Sequence, residues 1–311
     1  MGPTVGWQNE ENARQHGIGI ALNNEFKFIA EFRPRIPARC LNYVTNVAPP
    51  SVTSVLDIGC AAGDLYAYMI HQPASRNFEY EGVDISKPAI EAANRHYQTD
   101  RFRAIEGDED LEGKSADIVV SLNVLPNHPK PLDHLDQILK CTGHYLVAHL
   151  RTRDNGETVL DPEISCMRLF GEWFPFIVIN INELYRKILT SAMAPVRISC
   201  FKEYMMLAGS GPKFLPKELF VEEAKTASTT LIVEKHPDGI ESEIIEYHFT
   251  GSPSGPFTRM MLWRIGHYAG KLGLDRFAAG FLRERITDIS GVPRYGTVTA
   301  TKRIDIRECV D

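Results

Sequence analysis

The chain has 311 residues, a hydrophobic fraction of 43%, a charged fraction of 24% and a formal net charge of −6. This length allows one large or two small domains with a sizeable core, and the acidic balance argues against a broad nucleic-acid footprint. Six scattered cysteines (Cys40, Cys60, Cys141, Cys166, Cys200, Cys309) form no C-x-x-C pair, so neither a zinc site nor a dithiol motif is indicated. They read as thiols in a reducing compartment. The opening MGPTVGWQNEENARQ is no secretory leader, and no apolar run approaches the roughly 18 residues of a bilayer span. The expected location is cytoplasmic, with no membrane span.

Residues 1–36 precede the first strand and hold Trp7, a polar run and Phe26, Phe28, Ile29 and Phe32. They read either as a helix packed on the core or as a lid over a ligand, with Trp7 able to stack on it. A helix over Ile36 to Ala48 ends at Pro49 and Pro50. Then comes the stretch Ser54 to Leu65, SVLDIGCAAGDL. A strand, Ser54 to Ile58, stops near Asp57, turns through Gly59, Cys60, Ala61, Ala62 and Gly63, and enters a helix carrying Leu65, Tyr68 and Met69. Glycines there permit a tight turn and close approach of a ligand, beside a helix N-terminus. The glycine spacing is G-x-x-x-G with an acid two residues ahead. A dinucleotide fingerprint would instead be G-x-G-x-x-G.

A second strand, Tyr80 to Asp84, again stops at a carboxylate, where one acid can accept from both hydroxyls of a ribose. Ser86 suits an N-cap and Pro88 the first turn of a helix through Tyr97. Phe102 to Ile105 is a third strand, followed by Gly107 and the acidic run Asp108, Glu109, Asp110, which reads as a ligand contact or a solvated loop. Strand four, Asp117 to Leu122, ends in Asn123, Val124, Leu125, Pro126, Asn127 and His128, at the edge where open α/β sheets bind ligands.

Pro131 to Cys141 forms the next helix, with Leu132, Leu135, Ile138 and Leu139 on one face and Gly143 expected to end it. Strand five is His144 to Leu150, with His149 near its tip. An insertion from Arg151 to Ile179 brings Met167, Phe170, Trp173, Phe174 and Phe176, either an aromatic cap over an apolar pocket or a satellite core. Asn180 and Glu183 make a capping box for a helix Ile181 to Ser191. Val196 to Leu207 is a sixth strand. Thr229 to Lys235 and Thr297 to Arg303 compete for the role of seventh. Arg259 to Arg285 reads as basic amphipathic helix, suited to ordinary packing, a homodimer face or a membrane surface.

The stretch around Asp57, Gly59 and Gly63 resembles motif I of the class I S-adenosylmethionine-dependent methyltransferases. The resemblance spans about residues 38–236. It implies an α/β fold with a doubly wound, mostly parallel seven-stranded sheet. Residues 1–36 become an N-terminal arm, 37–236 the Rossmann-like binding domain with a cap insertion at about 151–180, and 237–311 a C-terminal α+β extension packed on the core. It also implies S-adenosyl-L-methionine as cofactor and S-adenosyl-L-homocysteine as product. Asp57 would lie near the methionine amino group, with Gly59, Cys60, Ala61 and Gly63 passing under the ligand. Asp84 and Ile85 would hold the ribose, Asp108 and Glu109 the adenine, and Leu122 and Asn123 the adenine or methionine side.

The implied reaction is in-line methyl transfer to an oxygen or nitrogen of a small-molecule acceptor. His128 is the first choice of general base and His149 the second, with Trp7, Trp173 and Phe174 against the acceptor. The strand-four tail has no acid between Ser121 and Asn127, so no metal is expected despite Asp154-Asn155. The N-P-P-Y-type tetrad of DNA amino-methyltransferases is absent from this tail. A methyltransferase acting on protein or RNA, or a non-catalytic nucleotide-binding module, are the other readings.

Overall fold

In a computed structural model, the described residues are 44, 47–70, 78–161, 165–169, 172–191, 195–204, 213–214, 225–235, 243–249 and 298–305. β1 (Ser54–Ile58) reads SVLDI, with four of its five residues buried, as suits a strand covered on both faces. With β2 (Glu79–Asp84), β3 (Phe102–Ala104), β4 (Ala116–Leu122) and β5 (Thr142–Arg153) it forms a parallel block in the order β3-β2-β1-β4-β5. The chain runs outward from β1 to β3 and then crosses to β4 on the other side. That reversal opens a crevice at the carboxyl ends of the strands.

Helices cover both faces. α1 (Asp64–Ile70) and α2 (Lys87–Tyr97) bury Leu65, Met69, Ile90 and Ala93 against Val55, Ile118, Val120 and Val147. α3 (Pro131–Cys141) and α4 (Ile181–Leu189) bury Leu135, Ile138, Leu184 and Ile188 against Leu56, Val119, Leu146 and Ala148. Alternate residues of one strand thus feed two cores, as the period-2 geometry of a strand dictates.

The insertion after β5 contributes β6 (Cys166–Leu169), β7 (Glu172–Pro175) and the short β8 (Ile179–Asn180), which pairs with the end of β5. β9 (Pro195–Tyr204) follows α4. β10 (Lys213–Phe214) joins β6 and β7 in a separate three-stranded sheet. β11 (Thr226–Lys235) runs antiparallel between β5 and β9. β12 (Glu243–Phe249) lies parallel to β9, and β13 (Val298–Ile304) pairs with β12. The seven expected strands are therefore β1–β5, β9 and β11. β8, β12 and β13 bring the large sheet to ten strands among the described residues.

Several local expectations change. The Thr229–Lys235 strand is the seventh, but it lies inside the sheet; the Thr297–Arg303 stretch forms the outer β13. Gly143 does not cap α3. β5 starts at Thr142 without a left-handed residue. A Cβ on Gly143 would come 3.0 Å from the Ala116 carbonyl oxygen, so the glycine serves close strand approach. Ser86 occupies the N-cap of α2, yet its side chain makes no cap hydrogen bond. The Asp84 carboxylate accepts from the Ser86 N–H at 2.8 Å instead.

Asn180 caps α4 by accepting from the N–H groups of Asn182 and Glu183. The Glu183 carboxylate turns to the Thr158 N–H and does not close the box. The arm 1–36, most of the Ile36–Ala48 helix and the stretch 259–285 lie outside the described residues, and among those described no helix is long and apolar enough to cross a membrane.

Candidate functional site

A cavity of about 250 Å³ opens at the carboxyl ends of β1, β2 and β4. The glycine turn forms its floor. Gly59 has φ +79, and a Cβ there would stand 2.1 Å from a Val124 methyl. Only glycine lets the β1 turn and the β4 tail approach this closely in that conformation. Two non-glycine residues beside the cavity are also left-handed, Ala61 (φ 48) and Asn123 (φ 61). Such backbone is uncommon for residues with a Cβ and clusters at ligand sites. Ala61 is held by donating its N–H to Asp84 Oδ2 at 2.8 Å, and Asn123 by donating its N–H to the His149 carbonyl at 2.7 Å.

Asp84 thus bridges two backbone segments. One oxygen takes the Ala61 N–H and the other the Ser86 N–H. The carboxylate is fixed at the cavity wall, and each oxygen has a second lone pair. Of the residues expected at the site, Gly59, Ala61, Asp84, Ile85, Asp108, Leu122, Asn123 and His128 line this cavity. Asp57, Cys60, Gly63, Glu109 and His149 do not.

Asp57 lies beneath the turn, 2% exposed, with its Oδ2 accepting from the Tyr80 hydroxyl at 2.7 Å. Burial pushes its carboxyl up to about 7, against the lowering effect of that hydrogen bond and with the Asp84 charge adding to the rise. His149 sits inside β5, beside Leu122 at the end of β4. Its Nδ1 pairs with the Thr230 hydroxyl at 2.9 Å and its Nε2 with the Ser228 hydroxyl at 3.3 Å. Phe174 is 1% exposed and belongs to the core. Trp7 and the Trp173 side chain lie outside the described residues.

Glu106, Asn127 and His134 also line the cavity and were not anticipated. His134 had a legible signal: it shares a stripe of α3 with Ile138 and Cys141, at i, i+4 and i+7, on the face that faces the core. A histidine there needs a partner. Its Nδ1 lies 2.6 Å from Asp108 Oδ1 and therefore carries the proton. His128 stacks on His134, with centroids 4.4 Å apart and planes at 13°.

The Lys130 N–H donates to His128 Nδ1 at 3.1 Å, so neutral His128 carries its proton on Nε2, which lies 3.7 Å from Asp108 Oδ1. Burial raises the Asp108 carboxyl, but the His134 hydrogen bond and the two imidazoles outweigh it and hold the group below its usual range. Burial and the neighbouring His134 lower His128. Asp108, His128 and His134 gather three possible ligand atoms within 4.8 Å of one another. The stack disfavours a shared metal, because a ring nitrogen donates in its own plane and one ion cannot lie in two nearly parallel planes.

Five buried side-chain polar atoms lack a partner among the described residues: Ser86 Oγ, Ser121 Oγ, Asn127 Oδ1, His134 Nε2 and Arg151 Nη1. All five belong to the carboxyl edge of the parallel block, and two are on residues lining the cavity. Native proteins leave few such atoms, and a cluster of them marks a place where a ligand supplies the missing bonds.

Residues 26–180 match the model of a family described as a methyltransferase domain. No curated protein sequence matches the chain. Among solved structures it is similar to the N-terminal domain of EvdMO1, crystallised in the presence of SAH and D-fucose. That likeness has 12% identity over 65% of this chain and 84% of that one, with a TM-score of 0.44. It is also similar to CrArsM, an arsenic (III) S-adenosylmethionine methyltransferase from Chlamydomonas reinhardtii, with 18% identity over 66% of this chain and 77% of that one and a TM-score of 0.45. The plantazolicin methyltransferase BpumL in complex with SAH shows 20% identity over 45% of this chain and 62% of that one, with a TM-score of 0.31.

Proposed function

We propose that this methyltransferase, whose residues 26–180 match a methyltransferase domain, is of the class I S-adenosylmethionine-dependent kind and methylates an oxygen or nitrogen atom of a small-molecule acceptor. One observation carries the cofactor end of this reading. The Asp84 carboxylate is clamped by the Ala61 and Ser86 N–H groups at the wall of a cavity whose lining includes two residues with orphaned buried polar atoms, Asn127 and His134. A cis-diol fits that carboxylate, and a group with donors and acceptors fits the rim around Asn127 and His134. When bound, S-adenosylmethionine supplies a methyl group already activated on a sulfonium, which the acceptor displaces in line.

The residues of the chain then bind, orient and exclude water. Asp84 accepts from the ribose hydroxyls, and Ile85 and Leu122 give apolar walls. Asp108, with His134 fixing its orientation, accepts from the adenine amino group. His128 lies against that same carboxylate. The adenine amino group and the transferable methyl sit at opposite ends of the cofactor, so this assignment makes His128 part of the purine corner. His149 then becomes the better choice for receiving an acceptor proton. It pairs with Leu122 at the end of β4, and its two ring nitrogens are linked to hydroxyls that can relay a proton. The acidic net charge favours a small acceptor over a nucleic acid.

The decisive measurement is a pair of thermal melts. S-adenosylhomocysteine at saturating concentration raises the melting temperature by mass action, and NAD does not. Stabilisation by NAD alone would sink the reading.

A further inference from the structure

Arg151 lies in the last turn of the pleat of β5, two residues beyond His149 and opposite Ser228 of β11. The His149 carbonyl accepts the Asn123 N–H, so the strand at Arg151 runs past the β4 tail that walls the cavity. The guanidinium carbon stands 4.2 Å above the ring of the fully buried Phe176. Phe176 is tied to the same tail, because its neighbour Ile177 donates its N–H to the Pro126 carbonyl at 2.7 Å.

No carboxylate among the described residues pairs with Arg151, and its Nη1 is buried without a hydrogen-bond partner. Other cations of this region are matched. Lys202 has both Asp154 and Glu246, and Arg153 donates to the Asn155 and Glu157 carbonyls. Burial alone pushes the Arg151 guanidinium down to about 10, with no opposing acid. Arg151 is half-buried, and its inner nitrogen, taken out of water without a partner, costs stability. A guanidinium carbon seated over an aromatic ring leaves N–H groups that can pair with a carboxylate or phosphate.

We propose that Arg151, seated on Phe176 beside the β4 tail and outside the lining of the cavity described above, is an anion subsite that pairs with a carboxylate or phosphate group carried by the methyl acceptor. This rests on the methyl-transfer reading above and narrows its acceptor to anionic molecules. The same chemistry has a second source, the amino-acid carboxylate of the cofactor itself. The test separates the two.

The full-length chain, saturated with S-adenosylhomocysteine, is melted at constant ionic strength with inorganic phosphate, phenyl phosphate, 4-hydroxybenzoate or its neutral amide, 4-hydroxybenzamide. At least one anion raises the melting temperature by about 2 °C or more, and the amide does not. Arg151→Met abolishes the response and Arg151→Lys keeps part of it. In parallel, the affinities of S-adenosylhomocysteine and of 5′-methylthioadenosine, which has no carboxylate, are measured in wild type and in Arg151→Met. Neither changes by more than about twofold, within the scatter of a site away from the contact.

Three results overturn the proposal. One is an equal anion response in wild type and both variants, and another is no anion response in the wild type. The third is a selective tenfold or greater loss of S-adenosylhomocysteine affinity in Arg151→Met with methylthioadenosine unaffected, which assigns the guanidinium to the cofactor. Failure of S-adenosylhomocysteine to bind the wild type would instead remove the methyl-transfer reading, and that appears in the first titration.

Discussion

Two clusters of ionisable groups lie along one large sheet and are treated in opposite ways. At the β9–β12 side, Lys202 is buried and meets Glu246 at 2.7 Å and Asp154 at 2.8 Å. Tyr185 donates to Glu246, Tyr204 to Asp154, and His248 Nε2 contacts Glu246 at 2.8 Å. Burial alone would lower the lysine, but Cys200 and the two acids outweigh it and raise it; the Glu246 carboxyl falls below its usual range against the effect of burial, chiefly because of Lys202. At the β1–β4 side, polar atoms are left orphaned, Ala61 and Asn123 hold left-handed backbone, and Asp57 is pushed up to about 7. The first cluster is satisfied within the chain and holds β12 against β9. The second is incomplete until something else is present. A saturated network stabilises a fold, and unsatisfied atoms beside a strained turn mark a binding site.

Breaking the saturated cluster gives the largest expected effect. Lys202→Met leaves two carboxylates facing each other in the core and costs about 3 to 5 kcal/mol of stability, read by chemical denaturation. The affinity of the folded variant for S-adenosylhomocysteine stays near wild type. A stability change of under about 1 kcal/mol, the range of exposed ion pairs, would show that the network only decorates the sheet.

The cavity side has the reverse signature in pH. Folded Asp57 titrates near 7, whereas its ordinary value is 3.8. Between those values the folded chain holds a proton that the unfolded chain has released. Stability therefore falls as pH rises from about 4 to about 7, by roughly 2 to 4 kcal/mol for such a shift. Asp57→Asn keeps an acceptor for the Tyr80 hydroxyl and flattens that fall. Denaturation midpoints across this range decide it, and an unchanged slope in the variant would place the effect elsewhere.

The smallest effect sharpens the contrast most. Asp84→Ala removes the carboxylate proposed to accept from the ribose hydroxyls and is expected to weaken S-adenosylhomocysteine binding by about 1.5 to 3 kcal/mol, read by calorimetric titration. Affinity equal to wild type would reduce Asp84 to a brace for the Ala61 and Ser86 backbone.

Much of this was written along the chain. The strand runs at Ser54–Ile58, Glu79–Asp84 and Ala116–Leu122, each ending near a polar residue and a turn, announce parallel strands with a site at their carboxyl ends. The helix Pro131–Cys141 is legible to the residue because its apolar spacing and its proline are both local signals. Asp84 is legible for the same reason: its position at a strand tip is a property of a few neighbouring residues.

Other features join residues that no local pattern connects. The sequence leaves Thr229–Lys235 and Thr297–Arg303 as rivals because both read well as strands. Only the pairing of β11 with both β5 and β9 assigns the first to the interior and the second to the edge. Strand propensity is a property of one segment, whereas strand order is a property of the packed sheet.

The amino-acid sequence by itself determined the parallel α/β block, the glycine turn, the strand-end acids and the methyl-transfer chemistry they imply, since each is encoded within a dozen residues. The tertiary structure alone decided that His134 orients Asp108, that His128 joins that corner, and that Arg151 is left without a counter-charge. These depend on side chains brought together from distant positions, where burial fixes which polar groups find partners and which wait for a ligand.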